Sequence, residues 1–173
     1  QLAHLAALPA LERLRLNTTE IGDGGMANIA KLTSLRDLDL GHTMVSDKGL
    51  APLAALKHLQ RLTINHTLVR GTGLGALTSL EDLDAANAPI NDAGAAEIAK
   101  LASLHRLRLA YTEVSDAGIK SLAPLKSIRH LDLLSTDISE DAIKSVAAFT
   151  NLEFLNISYN KIGAKGLAHL TGL

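Results

Sequence analysis

The sequence predicts an α/β fold in which short parallel strands stack into one sheet and short helices lie on its other side. Three observations carry that prediction. Within each unit the apolar residues change rhythm from alternation, the period of a strand with one buried face, to a spacing of three, the stripe of a short helix. Leu104 to Ser127 shows this best: Leu107 and Leu109 alternate with polar residues, then Ser115-Asp116 leads into Ile119, Leu122 and Leu125. The same pattern recurs from units beginning at Leu11, Leu35, Leu59, Leu80, Leu104, Ile128 and Leu152, spaced 24, 24, 21, 24, 24 and 24 residues apart. Finally, the chain is 47% hydrophobic but only 2% aromatic, so Leu, Ile, Val and Ala must fill the core, which suits thin repeated layers.

Taken in order, residues 1–10 form a partial unit, with Leu2, Leu5 and Leu8 as the tail of a preceding repeat. Seven strands follow, opening LERLRL, LRDLDL, LQRLTI, LEDLDA, LHRLRL, IRHLDL and LEFLNI. Each unit runs the same way and advances one layer, so the strands must be parallel. The ninth position reads Thr19, Thr43, Thr67, Ala88, Thr112, Thr136 and Asn160. An acceptor oxygen there can satisfy backbone amides where the chain leaves the strand, and Ala88 lacks one, which predicts a weak fourth layer at that column. Ile21, Val45, Val69, Ile90, Val114, Ile138 and Ile162 form the eleventh column. Asp23, Asp47, Asp92, Asp116 and Glu140 are then placed to cap the segment that follows or to favour its positive end. Pro52 and Pro124 argue for short or 3₁₀-like pieces. One such unit buries too little apolar surface to fold alone, so neighbours must cover both of its faces. Leu173 stands where another strand would begin, so the chain reads as a single domain over residues 1–173 within a longer protein.

The pattern L-x-x-L-x-L-x-x-T-x-[IV]-x-D-x-G-L-x-x-L resembles leucine-rich repeat proteins over essentially the whole chain. TEVSDAGIKSL and HTMVSDKGLAPL are similar to the cysteine-containing repeats of F-box ubiquitin-ligase adaptors, with Thr where that type has Cys or Asn. NKIGAKGLAHL and TEIGDGGMANI are similar to bacterial repeats, including those of secreted effectors. The resemblance implies a curved, right-handed leucine-rich repeat solenoid with the parallel sheet on the concave side, short α or 3₁₀ helices on the convex side, and protein binding as its use. An adaptor role would need an F-box segment, which this chain lacks. The compartment stays open between cytoplasmic and secreted, effector-like.

Between the buried leucines, side chains point to the concave face. The third-position column reads Arg13, Asp37, Arg61, Asp82, Arg106, His130 and Phe154; the fifth reads Arg15, Asp39, Thr63, Asp84, Arg108, Asp132 and Asn156. Residues one repeat apart are neighbours about 4.8 Å away, so alternating signs place each Arg between carboxylates. This ladder reads either as exposed ion pairs or as a charge-patterned partner surface. Asp82 and Asp84 share a strand face, but flanking arginines should keep both ionised, unsuited to acid–base work. At the strand exit lie His42, His66, Asn87, Tyr111, Leu134 and Tyr159, with Met44 and Leu68 two places on. Together with Phe154 they form the candidate partner-binding surface, since exposed aromatics on a sheet are what interface anchors look like. His42 and His66 are adjacent in one column, but no third metal ligand is evident.

Gly71-Thr72-Gly73-Leu74-Gly75-Ala76 formally matches a dinucleotide fingerprint, yet the next strand begins at Leu80, leaving no room for the helix it requires. The segment reads as the shortened repeat. With a net charge of -1 there is no global field for nucleic acid. No stretch is apolar and long enough to span a membrane, and the absence of Cys excludes disulfides and thiolate metal sites. The expectation is a non-enzymatic scaffold without cofactor, binding a protein partner, monomeric unless its uncapped ends associate. The alternative is an architectural spacer within a larger protein.

Overall fold

The computed structural model describes residues 8–171; the partial-unit residues Leu2 and Leu5, and Leu173, lie outside the described residues. Seven strands, β1 (Arg13–Arg15), β2 (Asp37–Asp39), β3 (Arg61–Thr63), β4 (Asp82–Asp84), β5 (Arg106–Arg108), β6 (His130–Asp132) and β7 (Phe154–Asn156), form one sheet in sequence order. Every pair is parallel, with register set by the repeat: Arg13 opposite Asp37, Asp37 opposite Arg61, Arg61 opposite Asp82. The three-residue slip in the third unit therefore falls outside the strand and leaves register intact.

Helices follow as α1 (Met26–Ile29), α2 (Asp47–Leu53), α3 (Asp92–Ile98), α4 (Asp116–Ser121), α5 (Glu140–Val146) and α6 (Ala164–Leu167). Pro52 is the penultimate residue of α2, and Pro124 lies beyond the end of α4. The shortened unit has only a 3₁₀ turn, Leu74–Ala76, in place of a helix. Gly71, at φ +109°, is why the shortening is tolerated: a Cβ there would stand 2.4 Å from the Gly94 Cα of the next layer. Backbone packs directly on backbone where other layers interpose a side chain.

The core is one continuous aliphatic cluster. In the second layer Leu35, Leu38, Leu40 and Val45 are all fully buried, and the inner layers repeat this. In the first and last layers the equivalent Leu11, Leu14, Leu16 and Ile21, and Leu152, Leu155, Ile157 and Ile162, are only partly buried. Among the described residues each outer layer has one neighbouring layer in the sheet, and these side chains keep part of their exposure.

Two hydrogen-bonding columns differ from the roles the sequence suggests. The ninth-position threonines donate rather than accept: Thr43 Oγ1 donates to the Leu40 carbonyl at 2.6 Å, and Thr67, Thr112 and Thr136 repeat this with Ile64, Leu109 and Leu133. A hydroxyl three residues past a carbonyl is positioned to close the turn back on its own chain. In the fourth layer the Ala88 amide donates to the Ala85 carbonyl at 3.2 Å, so that carbonyl is not left bare. Asn160 does accept, from the Thr136 and Ile138 amides of the previous layer.

Asp47, Asp92 and Asp116 stand in the first turns of α2, α3 and α4, at their positive ends, but they do not supply the N-cap hydrogen bonds. Ser46, Asn91, Ser115 and Ser139, one residue earlier, supply the N-cap oxygen. The aspartates instead reach across to the next layer. Asp92 accepts from the Ser115 amide at 2.8 Å and its hydroxyl at 2.7 Å; Asp116 accepts from Ser139 at 2.8 and 2.5 Å. Asp23 holds Ser46 the same way. Asp47 accepts from the Arg70 and Gly71 amides at 2.8 and 3.0 Å, which pins the tight turn of the shortened unit. The Asp23, Asp92 and Asp116 clasps thus each hold the N-cap serine of the next helix.

Candidate functional site

The concave face carries the two charged columns, and the ion pairs are fewer than strict alternation suggests. Arg61 meets Asp37 at 3.1 Å and Arg106 meets Asp82 at 3.4 Å, each on one side only. Arg108 alone lies between two carboxylates, 2.7 Å from Asp84 and 3.6 Å from Asp132. Arg61 and Arg106 thus pair two by two, while Arg13, Arg15 and Asp39 stand outside any ion pair among the described residues.

The fifth-position acids have a second role. Asp39 accepts from the Gly41 amide at 2.9 Å, Asp84 from Ala86 at 3.1 Å and Asp132 from Leu134 at 3.2 Å. Asn156 does the same for Ser158 at 3.1 Å. These bonds turn the chain as it leaves the strand. Burial raises the Asp82 carboxyl above its ordinary value, Arg106 opposes the rise, and the neighbouring Asp84 adds to it. Burial, then the charge of Arg106, holds the His130 imidazole below its ordinary value. His130 also stacks flat on Phe154, centroids 3.9 Å apart. Phe154 thus stands beside His130 in the third-position column of the concave face, as the sequence placed it.

At the strand exit the backbone is unusual in a regular way. The eighth residue of every unit, Thr18, His42, His66, Asn87, Tyr111, Ser135 and Tyr159, has φ between +52° and +58°. Left-handed backbone costs a non-glycine residue about 1 kcal/mol, so something must hold it. The eighth amide donates to the seventh carbonyl of the next layer, as His42 to Asn65 at 2.9 Å, Asn87 to Ala110 at 2.8 Å and Tyr111 to Leu134 at 2.8 Å. The sheet ladder thus continues past the strands and locks the exit loops.

That lock turns the side chains outward along one rim. Met44 is 63% exposed, Leu68 51%, Tyr111 53% and Tyr159 87%. His42 and His66 stack at 4.1 Å between centroids, adjoining Met44 and Leu68. Asn87 is exposed between His66 and Tyr111 in the column, while Leu134, at the seventh position, is half-buried. Among the described residues no three His, Asp or Glu side chains come together to hold a metal, and no helix is long and apolar enough to cross a membrane.

Comparison with known proteins fits this geometry. Internalin C2 of Listeria monocytogenes has a similar structure, with a TM-score of 0.78 at 24% identity over 93% of this chain and 68% of that one. The TLR13 chain of a TLR13–ssRNA13 complex is similar at a TM-score of 0.71 and 24% identity, over 99% of this chain and 24% of that one. The latter is a complex with RNA. No curated protein sequence matches the chain. A family model for the leucine-rich repeat region matches residues 1–167, and with the seven parallel layers and their shared register the chain belongs to the leucine-rich repeat family.

Proposed function

We propose that the protein is a recognition scaffold that binds a protein partner through its strand-exit rim and the adjoining concave face. The observation that carries this reading is the run of exposed Met44, Leu68 and Tyr111 beside the stacked His42 and His66, all on a backbone held rigid by interlayer hydrogen bonds. Large side chains presented without loop flexibility lose little entropy on binding, and such anchors carry most of an interface's energy. The near-zero net charge favours a protein over a polyanion.

The test is affinity capture followed by mass spectrometry, with the native chain beside a Tyr111→Ala, Leu68→Ala double variant. Both side chains are half-exposed, so the variant should keep the native circular dichroism spectrum. We expect a partner held by the native chain to be lost from the variant, each truncation costing about 2 kcal/mol of binding. Equal capture by a folded variant would contradict the rim as the recognition surface.

A further inference from the structure

The fifth-position column has one gap. Its inner layers read Asp39, Thr63, Asp84, Arg108, Asp132, so the place between Asp84 and Asp132 holds an arginine while the equivalent place between Asp39 and Asp84 holds only a threonine. Arg108 shows what that geometry accepts: one guanidinium reaches Asp84 at 2.7 Å and Asp132 at 3.6 Å, spanning carboxylates two layers apart. Two layers are about 9.6 Å, and Asp39 and Asp84 are separated by the same two layers. Over Thr63 the sheet has a depression of ≈ 370 Å³ lined by Leu62, Thr63, four arginines (Arg15, Arg61, Arg106, Arg108) and four aspartates (Asp37, Asp39, Asp82, Asp84).

The neighbouring cations do not fill it. Arg61 is drawn to Asp37 at 3.1 Å and Arg108 is shared between Asp84 and Asp132. Arg15 makes no ion pair with Asp39 among the described residues. Asp39 spends one oxygen on the Gly41 amide, leaving the other without a hydrogen bond in the described structure.

We propose that this gap is a seat for an arginine side chain supplied by the protein partner, which would complete the column as Arg108 completes it one layer pair further on. The proposal deepens the recognition reading above and rests on it: the rim anchors the partner, and the seat selects a partner with a basic residue in reach of the third layer. Arginine suits the site better than lysine because its planar fork offers donors at once to the open Asp39 oxygen and to Asp84, whose oxygens already accept from the Ala86 amide and from Arg108 and would be shared.

The experiment is an NMR titration of the isotope-labelled full chain with N-acetyl-arginine amide, which carries the guanidinium without a competing carboxylate. N-acetyl-citrulline amide, the neutral isostere, is the control. We expect saturable shifts centred on the Thr63 and Ile64 amides with the arginine compound, weakening as salt rises, and no such shifts with citrulline. An Asp39→Asn, Asp84→Asn variant should weaken binding at least about tenfold. Asparagine keeps the turn hydrogen bond, as Asn156 does natively, so that variant keeps its fold. Thr63→Arg, which fills the seat from within, should abolish the shifts. Absence of saturable shifts at the third layer, equal shifts with citrulline, or undiminished binding in either variant would overturn the proposal. None of these results bears on Tyr111 and Leu68, so rim capture is judged on its own data.

Discussion

At the scale of single residues, position within the repeat decides what a side chain does. A fifth-position aspartate is at once a turn holder and an ion-pair partner, as Asp84 shows with the Ala86 amide and Arg108. His130 illustrates the electrostatic cost of a crowded column. Its imidazole is held below the ordinary value of 6.5 by burial and by Arg106. Between that lowered value and 6.5 the unfolded chain binds more protons than the folded one, so stability rises with pH through the window and falls on acidification. His130→Gln should flatten that slope. Urea midpoints at pH about 5.5 and about 7.5 should differ less in the variant than in the native chain, by under about 1 kcal/mol because the ring is partly solvated. An unchanged difference would mean that another group carries the slope. The left-handed eighth column was not legible in the sequence. Of Thr18, His42, His66, Asn87, Tyr111, Ser135 and Tyr159 only His42, His66 and Asn87 are of types that enter that backbone more readily, and no glycine marks the column.

Between elements, hydrogen bonds that cross layers tie each unit to the next. The strands were readable, with their parallel order, because alternation and the 24-residue spacing both act along the chain. The clasps were not, because a carboxylate just ahead of a helix invites a local capping reading while its partner stands 23 residues away. Asp116 should therefore matter more than a first-turn charge. Asp116→Ala leaves the Ser139 amide and hydroxyl without their acceptor, and should cost about 1–3 kcal/mol in urea unfolding. A cost within about 0.5 kcal/mol, typical of a surface site, would show that the clasp is incidental. The shortened third unit was visible as a loss of three residues, but its remedy, Gly71 lying against Gly94, needed the coordinates.

For the whole molecule, the layers form a quasi-linear stack in which each lends its neighbours the apolar cover it cannot supply for itself. That is why the outer layers stay half-open while the inner ones are dry. It is also why surface columns exist, and both the rim and the arginine seat are column features. The two concave columns were legible residue by residue, since period two fixes which side chains face out. What sequence could not sort was which carboxylate each arginine would choose, because that depends on side-chain rotation about a fixed register, whereas the pairing of His130 with Phe154 follows from their neighbouring places in the third-position column. The direct test of that register uses the chain's lack of cysteine. His42→Cys with His66→Cys places thiols in adjacent layers, about 4.8 Å apart along the sheet and within disulfide reach. His42→Cys with Asn87→Cys places them two layers apart, at about 9.6 Å and beyond it. Under mild oxidation the first pair should cross-link and the second should stay reduced; a second pair that closes as readily as the first, or a first pair that does not close, would contradict the stack.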